Sequence, residues 1–182
     1  MYMTNLFQLV DSIEITFSKR YFAPCLSLIY SGIDIVSSLD RNGRNSKEAF
    51  LYWTENYLLK SGEFDCTPLE IYAARCGIIH TFTAYSGLSD KNKARKIIYS
   101  WGNADPKKVD FIKNDLGNHD TVVVHIDELK RAFGLGLDSF YGELSQNPEK
   151  AKRVAKQAGL WFTHLDKQIV EDYFEVKKNH VK

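Results

Sequence analysis

The sequence lacks an excess of charge of either sign. Lys and Arg number 24 against 23 Asp and Glu, a formal net charge of +1, so nothing global draws the chain toward nucleic acid or a membrane surface. Cysteine is scarce as well. Cys25, Cys66 and Cys76 are an odd number without framework spacing, which excludes a disulfide scaffold and makes a reducing, cytoplasmic setting the expectation. Two of them, Cys25 and Cys76, fall inside apolar helical patterns, where a thiol behaves as a small buried hydrophobe. No unbroken apolar run opens the chain, because Asn5, Gln8, Asp11 and Glu14 interrupt residues 1–17; no membrane association is expected there. Repeats and low-complexity stretches are lacking too.

What is present has an ordinary globular balance, 44% apolar and 26% charged over 182 residues. That suits one domain with a proper core and excludes disorder and collagen-like repeats. Charge is unevenly placed: residues 1–90 hold 7 cationic and 10 anionic side chains, and residues 91–182 the remaining 17 and 13. The clusters Lys91-Lys93-Arg95-Lys96, Lys107-Lys108 and Lys150-Lys152-Arg153-Lys156 read first as solvated faces, with a local anion-binding face as the alternative.

Apolar periodicity places a first amphipathic helix on Leu6, Leu9, Val10, Ile13 and Phe17. Residues 24–39 are apolar around most of a helical circumference, which predicts a central buried helix. One stripe on it is polar: Ser27, Ser31, Asp34 and Ser38. Asp34 must reach solvent or meet a cation there, since an unpartnered buried carboxylate is costly. Asn45 and Glu48 predict a capping box before a third helix with Phe50, Trp53, Tyr57 and Leu58 inward. Thr67, Pro68 and Glu70 form the clearest helix start, opening a fourth helix that runs to about residue 83. Its small residues Ala73, Ala74, Cys76 and Gly77 suit tight packing on the second helix.

Beyond Gly87 the texture changes. Residues 96–101 and 121–126 read as strands. Between them Asp105-Pro106 predicts a short helix with Val109, Ile112 and Leu116 inward. A longer helix follows from Asp127, with Gly134 and Gly136 as candidate interruptions. Asn147-Pro148 starts another that ends near Gly159, and a short element is expected around Ile169 to Phe174. The fold class is therefore α+β, mainly α. Residues 1–92 form a helical part, and residues 93–182 a small β element with helices packed on the same domain.

Arg75 and His80 stand out within the apolar fourth helix. An Arg keeps its charge, and a His moves protons near neutral pH. Together they are minimal equipment for metal-free phosphodiester cleavage: imidazole as general acid or base, guanidinium against charge developing on the phosphoryl oxygens. Five residues at about 100° each put the two about 140° apart around the helix. Bringing them to one phosphate therefore needs side-chain reach, a distortion at Gly77, or a two-fold partner. The structural alternative pairs Arg75 with Asp34 or Glu70 and lets His80 donate to a backbone carbonyl.

The segment Arg75-Cys76-Gly77-Ile78-Ile79-His80 resembles the HEPN superfamily, small helical bundles bearing Arg, four to six arbitrary residues, then His. The match falls on the fourth predicted helix and extends by helix pattern over roughly residues 1–85. The resemblance implies an antiparallel HEPN-like bundle and a metal-independent ribonuclease or RNA-binding protein of a toxin–antitoxin or phage-defence system. It further implies a homodimer, no cofactor or metal, and a possible cognate antitoxin. Arg75 and His80 would be catalytic; Asp34 would orient Arg75, and Cys76, Thr81 and Thr83 would support the site or touch substrate. Two positions depart from the family. Cys76 stands where Asn, Asp or His often follows the Arg, and Phe82 where one subgroup carries a Tyr that is modified to silence it. The rival class is a non-catalytic helical interaction module or accessory subunit.

Weaker signals are set aside. Cys76 and His80 share a helix face as a thiolate–imidazole pair but lack an oxyanion-hole motif. Adding Cys66 matches no zinc knuckle. His119, Asp120 and His125 read as a loop entering a strand, and Gly134-Leu135-Gly136 lacks the context of a dinucleotide loop.

Overall fold

The computed structural model describes residues 4–83, 86–115, 117, 120–160 and 167–180. Helix α1 (Thr4–Ser18) packs on α2 (Phe22–Leu39), and α2 runs through the centre of the bundle. Length and composition alone would let α2 cross a membrane. Here its residues Ile29, Tyr30, Ile33 and Val36 are sealed within the protein core. Its polar stripe of Ser27, Ser31, Asp34 and Ser38 is half-buried along one edge.

Asn45 caps α3 (Ser46–Trp53): its side chain accepts from the Glu48 N–H at 2.9 Å, and Glu48 accepts from the Asn45 N–H at 3.0 Å. The third helix does not continue as a regular α-helix to Gly62. It widens into a π-turn over Thr54–Leu58 and tightens into a 3-10 turn over Leu59–Ser61. The apolar pattern did not reveal this, because Trp53, Thr54, Tyr57 and Leu58 are buried at the i, i+1, i+4, i+5 spacing that an ordinary α-helix also gives. Helix α4 (Pro68–Thr81) starts at Thr67 with a second reciprocal box to Glu70. It packs against α2, with Ala73, Ala74 and Gly77 buried; Cys76, expected among them, is only half-buried.

Strands β1 (Lys96–Ser100) and β2 (Thr121–His125) pair in parallel, Lys96 opposite Thr121 and Ser100 opposite His125. The crossover between parallel strands carries α5 (Pro106–Asp115). Ile112, expected inward on α5, is 55% exposed, as the helix turns it away from β2. The expected inward Leu116, His119 of the discounted metal group, and the segment from Trp161 to Asp166 lie outside the described residues. The two tyrosine hydroxyls of Tyr30 on α2 and Tyr99 on β1 meet at 2.5 Å and tie the sheet to the bundle.

Helix α6 (Ile126–Gln146) is continuous through Gly134 and Gly136. Gly136 does not interrupt it because it serves packing: a Cβ there would lie 3.2 Å from the Trp53 ring and the Tyr57 backbone. Helix α7 (Pro148–Ala158) supplies Lys150, whose ammonium is buried among Tyr57 at 2.5 Å, Glu143 at 3.0 Å and Asp40 at 3.1 Å. The last helix, α8 (Lys167–His180), is longer than the expected element around Ile169 to Phe174. Its Val170, Tyr173 and Phe174 are exposed. A single apolar cluster runs from Leu6 and Ile33 through Trp53 and Ile71 to Ile97, Val122, Phe140 and Val154, so the sheet and the bundle share one core.

Candidate functional site

The site is built on the line where α2 and α4 meet. Asp34 comes from the half-buried stripe of α2, and Tyr72, Arg75 and Cys76 from the facing side of α4. A carboxylate in that position needs a cation, and Arg75 supplies it. Its Nε and Nη2 both reach Asp34 Oδ2 at 2.6 Å, with the side chains 22% and 31% exposed. Nη1 points the other way, 4.0 Å from the Cys76 sulfur. Of the two structural partners considered for Arg75, Glu70 is excluded: its carboxylate is held by Arg95 at 2.6 Å and by the helix cap.

Burial outweighs the attraction of Arg75 and His80 at Asp34, so its carboxyl titrates above the ordinary carboxylate range. Arg75 itself is desolvated, yet Asp34 raises its pKa and keeps it firmly a cation. At 2.6 Å the contact is a charge-assisted ion pair. His80 is exposed at the end of α4 and lies near enough for its charge to act on Asp34. Arg75 reaches inward along the α2–α4 seam, while His80 faces solvent one turn beyond.

Thr81 donates to the Gly77 carbonyl at 2.9 Å, and its hydroxyl meets that of Thr83 at 2.8 Å. Both threonines are exposed beside His80. The pattern of residues did not single out Tyr72 or Lys47. Tyr72 lies against Cys76, Arg75 and Asp34, and burial raises its hydroxyl above the ordinary tyrosine value. The i, i+4 spacing of Tyr72 and Cys76 was the signal that could have found it. Lys47, from the first turn of α3, sits 5.6 Å from the Tyr72 ring centre, and only tertiary contact reveals that.

No protein-family model matches the chain, and no characterised protein or solved structure is significantly similar to it.

The other cysteines are poor nucleophiles. Burial pushes the Cys66 thiol up to about 12 and raises Cys25 as well. Among the described residues no group of three His, Cys, Asp or Glu side chains is arranged to hold a metal ion. The α2–α4 seam therefore presents a guanidinium fixed on a carboxylate and, further along α4, an exposed imidazole beside two threonine hydroxyls.

Proposed function

We propose that the chain is a HEPN-like, metal-independent ribonuclease or RNA-binding protein that acts through Arg75 and His80. One observation carries the reading: Asp34 clamps Arg75 at 2.6 Å while His80, five residues on, stands exposed at the end of the same helix. In the enzymatic form, Arg75 holds the scissile phosphate and His80 transfers the proton, taking it from the ribose 2′-hydroxyl or giving it to the leaving oxygen. Asp34 is the positioning residue for Arg75, and Cys76, Thr81 and Thr83 border the substrate. The helical divergence of Arg75 and His80 favours a homodimer in which a second copy completes the site. A cytoplasmic toxin of a toxin–antitoxin or phage-defence system, with a cognate antitoxin, is the setting we infer.

A second reading is supported by a different observation. Val170, Tyr173 and Phe174 expose apolar surface on α8 at 38%, 56% and 57%, as a helical interaction module would. Incubation of purified protein with labelled RNA in EDTA separates the two. Cleavage that disappears in His80→Ala, and in Arg75→Ala of equal melting temperature, is the expected result. Equal activity in wild type and His80→Ala, or none in either, removes the catalytic reading.

A further inference from the structure

Phe82 is an anomaly at the edge of this site. It closes α4 with φ +52° and ψ +31°, a left-handed conformation in which glycine is favoured and a bulky side chain is strained. Packing gives no compensation, because the ring is 64% exposed. The conformation is nevertheless fixed. The Phe82 N–H donates to the Ile78 carbonyl at 3.3 Å, the Thr83 N–H to the Gly77 carbonyl at 3.4 Å, and the threonine hydroxyls on either side meet at 2.8 Å. The hydrogen-bonded cap thereby carries an aromatic ring exposed to solvent, two residues beyond His80. Strain retained without a packing reason is characteristic of a residue kept for contact with something else.

We propose that Phe82 is the base-stacking residue of the site and that its ligand is single-stranded RNA. This rests on the reading of Arg75 and His80 given above. The ring takes the face of an unpaired nucleobase and sets the adjoining phosphate beside His80. A net charge of +1 provides little general attraction for a polyanion, so affinity must come from local contacts, and stacking is the one that exposed Phe offers. Duplex RNA keeps its base faces covered and offers no such surface.

The test measures fluorescence anisotropy of a short, fluorescein-labelled, mixed-sequence RNA, alone or annealed to its complement, in EDTA. All proteins carry His80→Ala, so the RNA stays intact. Phe82→Leu preserves the backbone strain and apolar bulk without the π-face, and is expected to weaken single-strand binding on the order of tenfold. Phe82→Trp is expected to preserve that binding, and neither change alters duplex binding. Phe82→Gly should melt at a higher temperature while binding single strands more weakly, a combination that a structural role cannot produce. If Leu and Trp bind single strands equally, or if Leu loses duplex binding to the same degree, the stacking role is overturned while the Arg75–His80 reading stands. If the Phe82 protein binds neither form of RNA, both fall.

Discussion

Arg75 presents two nitrogens, Nε and Nη2, to one oxygen of Asp34, each at 2.6 Å, so a residue of α4 is fastened to the middle of α2. The pair is partly solvated, which places its worth between the small values of surface bridges and the several kcal/mol of buried ones. A double-mutant cycle with Asp34→Asn and Arg75→Met, followed by urea unfolding, should yield a coupling of about 1 kcal/mol. A coupling indistinguishable from zero would show that the contact does not fix Arg75.

Glu70 makes acid stability testable. Burial alone would raise its carboxyl, but the Arg95 guanidinium and the Thr67 backbone N–H hold the ionised form and bring it below its ordinary 4.5. A carboxyl lowered in the folded state stabilises above the unfolded value, and that contribution is lost as pH falls through the folded one. Glu70→Gln keeps the capping geometry and should therefore lower the melting temperature at neutral pH while flattening its decline in acid. Asp34 works in the opposite sense: its raised pKa means a contribution present at low pH and lost as pH rises through the folded value. Parallel acid limbs for wild type and Glu70→Gln would contradict the assignment.

Lys150 is 3% exposed and serves Asp40, Glu143 and Tyr57 at once. Lys150→Met fills similar space but leaves the Asp40 carboxylate, itself 6% exposed, with only the more distant Arg153 guanidinium at 3.5 Å. The expected cost in urea unfolding is about 3–5 kcal/mol, the range for removing one partner from a buried charge pair. A loss below about 1 kcal/mol would place the cluster in effective contact with water.

Gly32 tests packing against helix propensity. Alanine in place of glycine should favour α2 by about 1 kcal/mol. A Cβ at Gly32, however, would come within 2.5 Å of the Phe133 ring, which is buried in the core. Overpacking of this kind costs about 1–3 kcal/mol, so Gly32→Ala should be net destabilising by thermal melting. Adding Phe133→Leu should recover part of the loss. Stabilisation by Gly32→Ala alone would mean that Phe133 yields freely.

Much of the secondary structure was legible because its signals are local. Asn45 with Glu48 and Thr67 with Glu70 specify helix starts through bonds spanning three residues, and both boxes form. The β-branched runs specify the strands for the same reason. Other features were not legible. The π-turn at Thr54–Leu58 buries residues at a spacing that also reads as ordinary α-helix. Ile112 has an apolar side chain, but nothing in its neighbours states that α5 will turn it outward. At the candidate site, Arg75, His80 and Asp34 were visible as anomalies in apolar helices. Tyr72 and Lys47 were not, because aromatic and lysine side chains in those positions are unremarkable until α3, α4 and the α2 stripe are assembled.

The sequence by itself determined where helices and strands begin, and which polar groups would be expensive to leave unpartnered, because caps and periodicity act over a few residues. Tertiary structure alone decided that Asp34 takes Arg75 while Arg95 claims Glu70, and that β1 and β2 run in parallel. Those choices compare partners 25 to 41 residues apart in the chain, and only the packing of α2, α4 and the sheet around one core brings them within bonding distance.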